Sequence, residues 1–176
     1  MGRGAYGVCY VLQVKSNQIN MNLITFDNVL KDPKKYIEDI ESYGFQEIAS
    51  GDKTFHNLQP RDNNDEFAQY VTSMFPGYKI KWNVVRKSDP NVESRKLDYD
   101  GMTGDITAVL FLNELDGEEG TVIFDDEKNV LCTVYSKLNR MVAFDSDVVM
   151  GGSASEYSVN PNKEKLSQVI FLEEKK

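Results

Sequence analysis

The sequence predicts a mainly β domain with two helices near its start: a sandwich or jelly roll with helical cover. Three observations carry that prediction. Two stretches with apolar residues at helical spacing lie in the first half of the chain. Six or more short strand-like runs accompany and follow them, separated by turn signals such as Pro76-Gly77 and Gly151-Gly152. The run from Ile106 to Leu112 is strongly apolar and too short for a helix of usual length, which marks a central strand.

The elements follow in order. Gly2, Gly4 and Gly7 give a GxGxxG spacing, but no strand precedes it and no DFG triplet occurs, so a glycine-rich tail is the reading. A short strand is expected from Val8 to Val14, and residues 1–20 read as an extension of a core domain over 21–176. Leu23 to Phe26 forms the next strand. Asp32-Pro33 then starts a helix, an acidic cap followed by proline at the first helical position. Tyr36, Ile40 and Tyr43 make its apolar face, and Gly44 stops it, giving a helix over 33–43. Residues 49–65, with His56 among them, read as a polar, turn-rich connection. A second helix begins near Asn64, with Phe67, Tyr70, Val71 and Met74 as its stripe.

Tyr78 to Arg86 alternates, with Tyr78, Ile80, Trp82 and Val84 expected on one buried face. A charged loop over 87–95 follows. Leu97 to Asp100 alternates again, so Asp98 and Asp100 share a face at the mouth of the central strand. Further strands are expected at Thr121 to Phe124, Val130 to Tyr135, Arg140 to Phe144 and Leu166 to Leu172. A loop from Gly151 to about Pro161 precedes the last.

The totals narrow the function. A chain of 176 residues is one domain with room for a substantial core. Its net charge of -8 disfavours nucleic acid or an anionic membrane as the main partner. No apolar run is long enough to span a bilayer, and no cleavable signal arrangement opens the chain. Cys9 and Cys132 are too few for a disulfide framework; they fit a reducing compartment, with a single bridge as the alternative. His56 is the only histidine.

Several stretches together resemble the iron(II)- and 2-oxoglutarate-dependent oxygenases, especially the small prolyl-hydroxylase-like ones of bacteria and marine phages. Phe26-Asp27-Asn28-Val29-Leu30-Lys31-Asp32-Pro33 is similar to their opening motif, and Thr107-Ala108-Val109-Leu110-Phe111-Leu112-Asn113 to the strand after their His-x-Asp element. Glu119-Gly120-Thr121-Val122-Ile123-Phe124 and Asn139-Arg140-Met141-Val142-Ala143-Phe144-Asp145-Ser146 are similar to two later motifs. The resemblance covers roughly Asn22 to Glu173. It implies a double-stranded β-helix, a jelly roll with a metal at its open end.

The family holds iron with two histidines and a carboxylate. The resemblance puts the carboxylate on Asp100, the first histidine position on Asp98 and the second on Met150. Two of the three ligands are therefore replaced, and a thioether is a poor ligand in such a site. The basic residue that pairs with 2-oxoglutarate falls on Lys165, with Lys163 as a rival.

Three functions follow. The first is a non-catalytic oxygenase-like jelly roll, a pseudoenzyme acting through a protein partner or as a homo-oligomer. It would serve as a regulator or structural component in the cytoplasm or, given the phage resemblance, in a virion. The second is an iron(II)/2-oxoglutarate hydroxylase with an atypical metal site built on Asp98 and Asp100, with Met150 or Asp147 nearby. The third is a divalent-cation module using Asp98, Asp100 and Asp145 or Asp147. Against the third stands the plainer reading of solvated turn carboxylates.

Overall fold

The computed structural model describes residues 10–16, 19–50, 53–88, 104–114, 120–124, 130–146, 156–157 and 165–176. In chain order they form β1 (Tyr10–Ser16), β2 (Ile19–Asp27), α1 (Pro33–Tyr43), β3 (Gln46–Ser50), β4 (Lys53–Pro60), α2 (Glu66–Met74) and β5 (Tyr78–Ser88). Then come β6 (Ile106–Phe111), β7 (Gly120–Phe124), β8 (Val130–Tyr135), β9 (Arg140–Asp145), β10 (Glu156–Tyr157) and β11 (Lys165–Glu174).

Eight strands make the main sheet, in the order β1-β2-β9-β6-β11-β5-β4-β3. All its pairings are antiparallel. A smaller sheet has the order β10-β7-β8. The architecture is a jelly roll with the two helices laid on the outside of the main sheet.

Local chemistry places the helices. The Asp32 carboxylate accepts the Lys35 amide at 3.0 Å, and Pro33 occupies a position where a missing N–H costs nothing. Gly44 leaves α1 with φ of +71°, a region closed to most side chains. Asp65 caps α2 through the Ala68 amide at 2.8 Å. Tyr36 and Ile40 of α1, with Phe67, Ala68 and Val71 of α2, bury against the main sheet.

The central strand is as expected: β6 is flanked by β9 and β11, and all six of its residues are buried. Ala108 and Leu110 face the helices, with Met141, Ala143, Ile170 and Leu172 of the flanking strands. Val109 and Phe111 face the other way, into a second cluster with Leu23, Val142, Phe144, Val169 and Phe171. Val134 of β8 closes over that cluster, so the small sheet covers the inner face. Each fully buried Leu or Phe contributes about 1.5–3 kcal/mol.

Two of the resembling motifs meet in one corner. Asn139, at φ of +64°, donates to the Leu30 carbonyl at 2.9 Å and accepts the Leu30 amide at 2.7 Å. Beside it, Arg140 holds Asp27 with two bonds, at 2.6 and 3.1 Å. These residues clamp β2 and the approach to α1 onto β9.

Three expectations need correction. Residues 49–65 are not mainly turns: most of them belong to a β3–β4 hairpin. Its polar residues and a register shift between Gln46 and Ile48 hide the alternation. Trp82 does not share a buried face with Ile80. The β5–β11 register slips by one residue between Phe171 and Leu172, leaving Lys81 unmatched. Beyond that bulge the strand's faces exchange. Asn83 and Val85 become buried, while Trp82 is 51% exposed. Finally, Glu156 and Tyr157 pair with β7 rather than lying wholly in a loop. The first strand runs Tyr10–Ser16, a little later than expected, and pairs with β2 throughout.

Candidate functional site

The inner face of the main sheet is built in rows set by strand register. Leu23, Phe144, Thr107, Phe171 and Trp82 stand opposite one another across five strands. Thr25, Val142, Val109, Val169 and Val84 form the next row. The third row reads Asp27, Arg140, Phe111, Ser167 and Arg86. The face is therefore apolar in its middle and polar at the Phe111 end.

Lys165 lies one step beyond that third row, as the first residue of β11. Its position alternates with Leu166, so it shares the face of Ser167, Val169 and Phe171. Only 2% of it is exposed, and its Nζ stands 5.2 Å from the centre of the Phe111 ring. That distance suits a cation–π contact. Ser167 is fully buried, and its Oγ has no hydrogen-bond partner among the described residues. Half-buried Arg86 sits directly across from Ser167. Two cations, both engaged in contacts of their own, and an unsatisfied hydroxyl therefore lie at one end of an apolar interior. The hydroxyl is a group that could donate to a carboxylate.

Asp27 is held well below the usual carboxylate range, at about 2. The Arg140 hydrogen bond is the largest cause, with further help from Lys137 at 2.8 Å. Thr107 and Ser146 share a hydroxyl hydrogen bond of 2.8 Å at the opposite end. The half-buried Cys132 thiol is pushed up by burial, as expected of an inert packing cysteine.

The expected metal positions Asp98, Asp100 and Met150 lie outside the described residues, as do Asp147 and Lys163. Asp145 ends β9, half-buried, opposite Ile106. His56 sits on β4, two strands from β11, with its Nδ1 2.7 Å from Glu47 on the adjoining strand. Among the described residues, no three His, Cys, Asp or Glu side chains come close enough to hold a metal. The two implied groups therefore fare differently. The donor set the sequence offers for iron has no second imidazole anywhere in the chain and does not fit a two-histidine centre. Lys165 and Ser167 are of the donor types that a carboxylate such as that of 2-oxoglutarate uses.

The resemblance points to Lys165 and names neither Ser167 nor Arg86, which strand spacing and register set near it. Ser167 was two residues away at strand spacing, a usable signal. Arg86 could be placed only by the β5–β11 register.

No family model matches the sequence, and no curated protein does. Solved structures do match in fold. A viral collagen prolyl hydroxylase from Paramecium bursaria Chlorella virus-1 superposes with a TM-score of 0.58 at 12% identity, covering 88% of this chain and 90% of that one. A Trichoplax adhaerens prolyl hydroxylase, solved with a hypoxia-inducible-factor peptide fragment, gives 0.58 at 12% identity, with coverage of 85% and 82%. A Pseudomonas putida prolyl-4-hydroxylase gives 0.51 at 16% identity, with coverage of 88% and 93%. The fold is thus that of the 2-oxoglutarate oxygenase jelly rolls. No helix among the described residues is long and apolar enough to cross a membrane.

Proposed function

We propose that this chain is a non-catalytic protein on the oxygenase scaffold. It acts by binding a protein partner or as a structural and assembly component, with a phage particle as one setting. One observation carries the reading: the chain has a single histidine, and that histidine is bonded to Glu47 on the edge hairpin. A two-histidine iron centre therefore lacks its second imidazole. Two carboxylates and a thioether, at Asp98, Asp100 and Met150, would bind a redox iron poorly.

A second reading is favoured by the Lys165 corner: an iron(II)/2-oxoglutarate hydroxylase with an atypical metal site. In that reading Lys165 and Ser167 hold the distal carboxylate of the cosubstrate, with Arg86 adding charge from the next strand. Lysine supplies the charge without arginine's two-pronged geometry. Iron, when bound, would supply the oxidising chemistry, and Asp98 and Asp100 would be its anionic ligands.

Succinate release separates the two. The protein is incubated with 2-oxoglutarate, iron(II), ascorbate and oxygen. The proposal expects no succinate above a protein-free control. Sustained release that disappears in Asp100→Ala overturns it in favour of the hydroxylase.

A further inference from the structure

The main sheet ends in two very different edges. At one end β3 is five residues long, carries a register shift, and bears Glu47 paired to His56. Short length, a bulge and charge are the devices that keep an edge from pairing. At the other end β1 is neither short nor bulged, and Lys15 is its single charge. It runs seven residues, YVLQVKS, in unbroken register against β2, with no proline, glycine or acidic residue. Among the described residues nothing pairs with its outer side.

A second observation concerns charge. Residues 10–26 contain one charged residue, Lys15, in a chain that is 27% charged with a net charge of -8. The β1–β2 hairpin is thus a nearly neutral strip on an acidic molecule. Two copies could meet there without the like-charge repulsion that opposes contact elsewhere.

The strand is also self-complementary. Pairing antiparallel with its own copy about Gln13 sets Leu12 opposite Val14 twice, Val11 opposite Lys15 twice, and Tyr10 opposite Ser16 twice. No cation then faces a cation. We propose that β1 is a dimerisation edge, at which two copies of this chain join their main sheets across a twofold axis. The contact is isologous and closes, whereas β1 pairing with β3 of another copy would continue into a filament. Its strength comes from main-chain hydrogen bonds over a short strand, so the dimer is concentration-dependent rather than permanent. The inference does not rest on the absence of catalysis and holds for either reading of the interior.

Sedimentation velocity over a concentration series tests it, with far-ultraviolet circular dichroism confirming that each variant is folded. The full chain is expected to pass from monomer to dimer. Val11→Lys sets two cations opposite each other twice, and should raise the dimer dissociation constant about tenfold or more. Adding Lys15→Glu to that variant should restore the dimer through two opposite-charge pairs. A monomer at every concentration overturns the proposal, and so does a dimer indifferent to Val11→Lys. Loss that Lys15→Glu does not reverse overturns the pairing register, and with it the twofold edge.

Discussion

β11 shows two surfaces to two neighbours, and they treat polar groups in opposite ways. Toward the helices it presents fully buried Gln168, whose amide is bonded through both its oxygen and its nitrogen. Gln168 accepts from the Tyr36 hydroxyl at 2.7 Å. Its amide donates to Asp65 and to Asn83, each at 2.8 Å. Asn83 in turn donates to the Asp62 carbonyl at 2.9 Å, and Arg61 pairs with Asp39 at 3.1 Å. The Arg61 Nε is left short of a hydrogen bond but lies 3.5 Å from Asp65, so its charge is compensated. Burial and the nearby Asp65 push the Tyr36 hydroxyl far above its usual range, so it remains a donor. Toward the interior the same strand presents Lys165 and an Oγ of Ser167 that bonds nothing described. A network closed on itself fastens the fold. Arg61 Nε has a charge partner, whereas the Ser167 hydroxyl has no described partner at all.

The sharpest way to break this contrast is to delete the centre of the closed network. Gln168→Ala removes a partner from the Tyr36 hydroxyl, Asn83 and Asp65 together, and should cost on the order of 3 kcal/mol in urea unfolding. Tyr36→Phe removes one donor only, and is expected to cost about 1 kcal/mol in the same assay. Asp27→Asn tests the closed end of the inner face. Asp27 titrates at about 2 against an ordinary 3.8, so its ionised form favours the folded state. That contribution is complete above the ordinary value and is lost as pH falls through the lowered one. The pair is partly solvent-screened, so the loss should be about 1 kcal/mol near neutral pH, fading toward zero near pH 2. Urea midpoints of both proteins along a pH series would check the sign. Ser167→Ala should do least, within about 0.5 kcal/mol of neutral, because no described bond is broken. A cost as large as that of Gln168→Ala would show that the interior hydroxyl is a structural partner after all.

Where local chemistry decides, the sequence was readable. Asp32-Pro33 and Gly44 bracket α1 because capping and backbone freedom are properties of those residues themselves. Ile106 to Phe111 was recognisable because a strand buried on both faces has little room for polar residues. Where long-range register decides, it was not. The β3–β4 hairpin is written in polar residues, and Trp82 changes face because one residue of β5 goes unmatched. Lys165 was reached through a resemblance. Ser167 and Arg86 gain meaning only once strands some 80 residues apart lie side by side. Asp98, Asp100 and Met150 remain statements about donor chemistry, since they lie outside the described residues.

The most direct test of the account is an anaerobic titration of the full chain with iron(II), with manganese(II) as its stand-in, with and without 2-oxoglutarate. Calorimetry and Trp82 fluorescence would follow binding. The account predicts no saturable metal site under either condition. Tight one-to-one metal binding strengthened by 2-oxoglutarate would contradict it, and would make Asp98, Asp100 and Lys165 the residues of a working oxygenase.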